Sequence, residues 1–470
     1  MSLWRKSAGY ALGRAFTSFL VFLLLPILTR LLTPEMFGTW QIMAFFAAVV
    51  MVMVQLGLDQ ALFRFYVIDS KNRGRYLAVT YLFVAFASIV MFLIVFILRN
   101  PLRTVLLSRM SSPNLVLLAT LWGIVDAFFF TTTTVFQAEE RVSTFVMCDV
   151  TRALLGYGMG LFALQAGYGI AGLVWAWIFS ALAVLFLVFP LITKRIASPR
   201  PVALVLPMIR YGFPLAINML IIKFFTFTDR WLIARLSGLS DVGSYSAGLK
   251  IAGIVQAALI PIRYAWLARM FNLYKEGRLK EKLPHFWRQI SGFIGFVAVF
   301  VIIFAKEIFS LMIGPGYESG RFVVPILAAA FFIDALILVA DAGIYVTGKT
   351  SLIPAYTFFA MLGNIFLCIL WIPRFGVLGA AFAVFVSYAL LFFMFWRAGQ
   401  FLYHVDIPYV KVFSSVVAVI LSMIVSTGEF ALIVRLPIFV AISTALILVT
   451  GIERDATAFL KNTIRKRGKK

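Results

Sequence analysis

Charge is scarce in this 470-residue sequence. Only 13% of it is Asp, Glu, Lys or Arg and 63% is apolar, whereas a water-soluble domain is about a quarter charged and about half apolar. So little polar surface cannot coat a soluble particle of this size, and a soluble fold is excluded. Cysteine is rarer still. Cys148 and Cys368 stand alone inside apolar stretches, which leaves no disulfide framework and no thiolate metal spacing. The two histidines, His285 and His404, sit in connecting segments without a ligand cluster around them. No catalytic residue, metal or cofactor is therefore expected. Acidic residues number 19 against 42 Lys and Arg, a net charge of +23.

Long uncharged runs are what the sequence has instead. "FLVFLLLPIL" within 10–32 and "YLFVAFASIVMFLIVFIL" at 81–98 are typical of segments that cross a hydrocarbon core about 30 Å thick. Such segments fall at 10–32, 38–58, 76–98, 114–137, 143–165, 169–192, 208–233, 243–266, 288–313, 322–346, 351–372, 376–396, 409–427 and 430–450. The reading is an all-α polytopic membrane protein of about fourteen transmembrane helices. The first segment runs past 20 residues without a small-residue cleavage site, so it reads as a retained span and not a signal peptide.

The basic clusters choose an orientation. "KNRGR" (71–75), "TKRIASPR" (193–200), "KEGRLKEK" (275–282) and "RKRGKK" (465–470) all lie on one side if the spans alternate. The positive-inside rule then puts both termini in the cytoplasm, with the chain in the cytoplasmic (inner) membrane. Because these clusters flank spans, their expected partners are anionic membrane lipids and not nucleic acid.

The chain repeats itself. "RLLTPEMFGTW" (30–40) is echoed by "RLSGLSDVGSY" (235–245), and "YGIAGLVWA" (168–176) by "FGVLGAAFA" (375–383), at offsets of 205 and 207. The first pair aligns Arg30 with Arg235 and Gly38 with Gly243; at the same offset Arg64 aligns with Arg269. The expected organisation is a six-helix lobe over 1–198, a second over 199–400, helices 13 and 14 in 401–453 and a basic tail at 454–470. Six is even, so the two lobes share one orientation about a pseudo-two-fold axis along the membrane normal. Parallel-repeat transporters hold substrate near the midplane between the halves.

Charges inside spans cost roughly 2.5–3.5 kcal/mol each on insertion scales, so they face a bundle interior or a cavity. Here they are Arg14, Asp126, Asp149, Arg152, Arg210, Lys223, Asp229, Arg230, Lys250, Arg263, Asp334 and Asp341. Lys223, Thr226 and Arg230 share one helical face, as do Asp126, Thr133 and Gln137, and Asp334 and Asp341 are seven apart. Asp149 and Arg152, at i and i+3, can pair with each other. Arg210, Arg263, Asp229 and Arg230 lie close enough to helix ends to snorkel. Lys223 and Asp334 lie near mid-span. The expected substrate-binding set is Arg14, Lys223 and Lys250, with Asp126, Asp334, Arg152, Arg230 and Thr226 around them. A cleft of Lys and Arg suits phosphate; the aspartates either neutralise the cations or couple transport to H+ or Na+. "GIYVTGKT" (343–350) matches a phosphate-loop pattern, but it follows an apolar helix instead of a strand.

"LLTPEMFGTW", "GLDQALFRFY" (57–66) and "TDRWLIARLSGLSDVGSYSAGLKI" (228–251), in that order, resemble the Wzx-type polysaccharide and oligosaccharide flippases. These belong to the multidrug/oligosaccharidyl-lipid/polysaccharide (MOP) exporter superfamily, and the resemblance covers essentially the whole chain. It implies a V-shaped pair of lobes around a cationic central cavity. It implies, too, alternating-access transfer of an undecaprenyl-pyrophosphate-linked oligosaccharide to the outer leaflet for surface polysaccharide synthesis. A polysaccharide polymerase or chain-length machinery would be a partner. The alternative is an ion-coupled multidrug or cation antiporter of the same superfamily, which would need a net-acidic cavity. An enzyme fits worse, because the outer loops hold no carboxylate or histidine constellation.

Overall fold

The computed structural model describes residues 13, 16, 17, 20, 22–107, 112–196, 202–428 and 430–451. Among them it is helical, without strands. Thirteen helices are long and apolar enough to cross a membrane, and they fall on the second to fourteenth expected spans. A shorter apolar helix, α1 (Phe22–Leu31), occupies the described part of the first.

The local chemistry of the starts and stops is explicit. α2 (Pro34–Gln55) begins with Thr33 as N-cap, its hydroxyl accepting from the Met36 amide, then proline at the first helical position and Glu35 in the first turn. Each choice satisfies or complements the orphan amides of a helix start. α2 stops where Leu56 and Gly57 take positive φ, 45° and 76°, a reversal that glycine tolerates and leucine does not favour. α3 (Leu58–Ile68) follows at once. α4 (Arg73–Leu106), α5 (Pro113–Ala138), α6 (Val142–Gln165) and α7 (Gly169–Thr193) complete the first repeat.

The second repeat opens with α8 (Val202–Phe225) and α9 (Thr228–Leu236), then α10 (Leu239–Lys275), α11 (Leu279–Ile303) and α12 (Ala305–Met312). Next come α13 (Ser319–Ala340), α14 (Ala342–Val346), α15 (Leu352–Phe375) and α16 (Val377–Leu402), with α17 (Tyr409–Thr427) and α18 (Leu432–Thr450) appended. At 34 and 37 residues, α4 and α10 rise about 1.5 Å per residue and so overshoot a 30 Å hydrocarbon core.

By packing, the chain forms two compact units. One holds 1–246 with 314–317, the other 247–313 with 318–470, so the boundary falls inside α10. In the first unit, Val50, Val54, Val84 and Ala127 form a core cluster joining α2, α4 and α5. In the second, α13 is the most enclosed helix, its window 78% buried. It packs against α11 and α16, while the α17–α18 pair packs on α11.

The repeated phrase has a spatial meaning within the first unit. A Cβ on Gly38 would lie 2.0 Å from the carbonyl oxygen of Leu239, and one on Gly243 would lie 1.8 Å from that of Pro34. Pro34 and Leu239 are themselves an aligned pair, so the start of α2 and the start of α10 cross reciprocally. The flanking connections are exchanged in the same way. Tyr317 donates to the carbonyl of Leu32 at 2.8 Å, and the Gly314 amide donates to the Thr29 hydroxyl at 3.0 Å. Arg235 in turn donates to the carbonyl of Thr104 at 2.6 Å, and Trp231 to that of Val105 at 3.1 Å. At the second marker, Gly169 and Gly376 share a φ of 56° at the starts of α7 and α16. The copies also differ: opposite the Leu56–Gly57 break, α10 runs on unbroken through Pro261.

Candidate functional site

The charged face expected on a single seventh span lies across a break. α8 ends at Phe225, and Thr226 and Phe227 separate it from α9. Interrupted spans of this kind expose carbonyls and helix ends at membrane depth, where ligands are held. Lys223 sits in the last turn of α8, where the negative end of the helix dipole favours a cation. It is half-buried, and among the described residues its ammonium group makes no hydrogen bond or ion pair. Thr226 is exposed in the break, its hydroxyl donating back to Ile222 and Lys223 carbonyls at 2.9 and 3.1 Å.

The far side of the break is held by Asp229. Its carboxylate is buried and accepts from the Tyr245 hydroxyl at 2.5 Å and from the Arg230 amide at 2.7 Å. The Arg230 guanidinium donates to the Thr226 carbonyl at 3.0 Å and lies 4.2 Å over the Phe227 ring. Arg230 therefore closes the break around its own backbone. Tyr245 was not a candidate from sequence; its signal was the ring that ends the second copy of the repeated phrase. Lys223 is the cation this arrangement leaves unneutralised.

Asp126 of α5 and Arg152 of α6 meet at 2.5 Å with little exposure on either. The same guanidinium lies over Phe129 and Trp177, at 4.6 and 5.4 Å. Arg152 is thus paired between helices and not with Asp149 one turn away, because a carboxylate facing it across the interface competes better than one on its own helix. Thr133 is buried with its hydroxyl on the Phe130 carbonyl, and Gln137 is exposed.

In the second unit Lys250 is a half-buried residue of α10. Arg263, further along α10, donates to Asp334 of α13 at 3.1 Å. Asp341 caps the junction between α13 and α14, where the Ile344 and Tyr345 amides donate to its carbonyl. Arg210 is exposed on α8. Arg14 lies outside the described residues. The segment 343–350 runs from α14 into a turn and is not a strand-to-helix phosphate loop.

Two further polar ties had no clear sequence signal. Glu139, just past α5, accepts from Tyr66 at 2.8 Å and from Arg195 at 2.7 and 2.9 Å, with Arg141 at 3.2 Å. Burial pushes this carboxyl up, but the hydrogen bonds from Arg195 and Tyr66 and the charges of Arg195 and Arg141 outweigh it and hold it below its ordinary value. Burial, then the Glu139 hydrogen bond, pushes the Tyr66 phenol up to about 12. In the second unit, buried Arg435 of α18 forks onto Glu307 of α12 at 2.6 and 3.2 Å and also reaches the Ile303 and Phe430 carbonyls.

A family model described as "Polysaccharide biosynthesis protein" matches residues 27–321. No curated protein matches the chain. Among solved structures, the chain is similar to the lipid II flippase MurJ in an inward closed conformation. The two are 11% identical with a TM-score of 0.73, over 97% of this chain and 99% of that one. An inward-facing multidrug resistance MATE family transporter of the MOP superfamily is 14% identical with a TM-score of 0.62, over 85% and 94%. A MOP superfamily transporter from Pyrococcus furiosus is 15% identical with a TM-score of 0.61, over 84% and 94%. At these identities the likeness establishes a shared fold.

Proposed function

From a chain that belongs to the polysaccharide biosynthesis protein family and has the MurJ- and MATE-like membrane fold, we propose a flippase. It carries a polyisoprenyl-pyrophosphate-linked oligosaccharide across the cytoplasmic membrane by alternating access, with both termini inside. Lys223 carries this reading. An ammonium group held half-buried beside a broken span, with no carboxylate on it among the described residues, is costly unless an anion visits. The pyrophosphate of a lipid-linked glycan is such an anion; Lys250 and Arg14 are the other in-span cations the sequence offers for the substrate. Three of the in-span aspartates are already matched, Asp126 and Asp334 by arginines and Asp229 by Tyr245 and the Arg230 amide, which supports an anion over a cation as cargo at Lys223. A multidrug antiporter would need the reverse balance.

The test is glycan export in cells carrying Lys223→Ala, Lys250→Ala or both, with inserted protein quantified by blotting. Export should fail while protein level holds, and Lys223→Arg should retain more activity than Lys223→Glu. Wild-type export from both single variants and the double variant would remove the reading.

A further inference from the structure

Two grooves open on the sides of the molecule, and their linings differ in one respect. The larger, about 740 Å³ among α4, α5 and α7, is lined by apolar side chains, by Thr193, and by Tyr81 and Thr132, which bond to each other at 2.6 Å. No charged side chain lines it. The smaller, about 480 Å³, lies between the start of α15 and the end of α16; Leu352, Tyr356, Phe393, Met394, Arg397 and Phe401 form its wall. Here an arginine is part of an otherwise apolar lining.

Arg397 is exposed, and among the described residues its guanidinium makes no hydrogen bond, ion pair or ring contact. The Tyr356 hydroxyl is likewise without a hydrogen bond; its ring packs edge-on to Phe395 at 5.7 Å. Phe393 and Phe401, 57% and 82% exposed, continue the groove onto the outward apolar face of α15 and α16, where Phe359 and Phe366 are also exposed. More positive charge gathers at the same end. Lys280, in the first turn of α11, lies 5.2 Å over the ring of Tyr403, the C-cap of α16. Lys349 is exposed in the turn before α15.

We propose that this groove is a binding site for an anionic phospholipid of the surrounding leaflet. Its phosphodiester sits on Arg397 and the Tyr356 hydroxyl, and one acyl chain lies along Phe393, Met394 and Phe401. Three features select that ligand. A guanidinium offers several donors to phosphate oxygens in a fixed fork. Basic pockets between spans at a membrane face recognise acidic headgroups. A groove of this volume, apolar but for an arginine and a tyrosine in its wall, has the proportions of an amphiphile site. It opens onto the lipid-facing surface of two helices, so a bilayer lipid reaches it laterally. The site is separate from Lys223 and does not depend on the transport reading.

The experiment is native mass spectrometry of the full chain, purified in detergent and titrated with phosphatidylglycerol or phosphatidylcholine. It is run on wild type, Arg397→Gln and Ala398→Trp, the last placing an indole in the groove wall. Wild type should retain phosphatidylglycerol in preference to phosphatidylcholine. Arg397→Gln should weaken phosphatidylglycerol about tenfold or more, the loss of a charge-assisted hydrogen bond, and weaken phosphatidylcholine less, so that the preference between the two shrinks. Ala398→Trp should weaken both lipids. Thermal midpoints without added lipid should match wild type, so that lost binding is not lost folding. Equal phosphatidylglycerol retention in wild type and Arg397→Gln would overturn the headgroup assignment. Undiminished binding to Ala398→Trp would overturn the chain assignment. Displacement of phosphatidylglycerol by millimolar inorganic pyrophosphate alone would reassign the groove to a soluble anion.

Discussion

Arg152 reaches across from α6 to place its guanidinium 2.5 Å from the Asp126 carboxylate on α5, with three aromatic rings around it. A buried pair of this kind is a weak source of net stability, but half of it is a liability. Arg152→Leu alone should therefore destabilise the protein by about 3–5 kcal/mol. The double change Arg152→Leu with Asp126→Leu should recover most of that loss. Thermal midpoints of the purified variants check this; a double variant as damaged as the single would mean that the pair does more than satisfy itself.

The glycine crossing predicts symmetrical damage. Gly38→Ala and Gly243→Ala each put a methyl within 2.0 Å of a main-chain oxygen on the opposing helix, and the backbones must part. Each should cost about 1–3 kcal/mol or more. The double variant should fall well short of the sum, because the two sites share one contact. Folded yield and midpoint, measured as a double-mutant cycle, give the answer.

Glu139 predicts an acid-sensitive tie. Its carboxyl is held below the ordinary value in the folded protein, so its contribution is present above the unfolded value of about 4.3 and is lost as pH falls through the folded one. Wild type should be more stable than Glu139→Gln near neutrality, and the two should converge as pH falls below the ordinary carboxylate range. Midpoints measured from pH 7 down to pH 3 follow the convergence; a constant gap would show that proton uptake at Glu139 is not responsible.

Arg435 and Glu307 predict an asymmetry. Arg435 has a side chain only 6% exposed, whereas that of Glu307 is 34% exposed. Glu307→Ala leaves a buried cation with only two carbonyls and should cost toward about 3 kcal/mol. Arg435→Met leaves a carboxylate that water can reach, with a side chain of similar shape in the cavity, and should cost less. The order of the two midpoints is the test, and the reverse order would place the burden on the carboxylate.

How far these relationships could be read from sequence depends on their range. The thirteen candidate spans follow apolar runs, a signal that needs only local composition. Proline did not mislead, since Pro207, Pro214 and Pro261 all lie inside helices; within a membrane, neighbouring groups tolerate what would break a helix in water. The break at Thr226–Phe227 was invisible for the opposite reason. It has no glycine or proline, and what ends α8 is the set of tertiary bonds from Asp229, Tyr245 and Arg230. Partner choice was the other blind spot. Arg152 had an acidic residue one turn away in its own helix, and only the packing of α5 on α6 supplies the one it uses. Lys223 was singled out by charge, depth and its helical face, and that no carboxylate meets it among the described residues could be learned only from the packed structure.

The reciprocal crossing has a consequence for how such a duplicated chain can change. At Gly38 and Gly243 each copy is the mould of the other: a larger residue in one is obstructed by the main chain of its twin, which no side-chain replacement there can remove. The exchanged ties through Tyr317 and Arg235 bind the adjoining turns in the same manner. Elsewhere the halves differ, to the point that one second helix is broken where the other is continuous. Here neither can diverge alone, and the echo in the sequence survives as the imprint of two surfaces that must go on fitting each other.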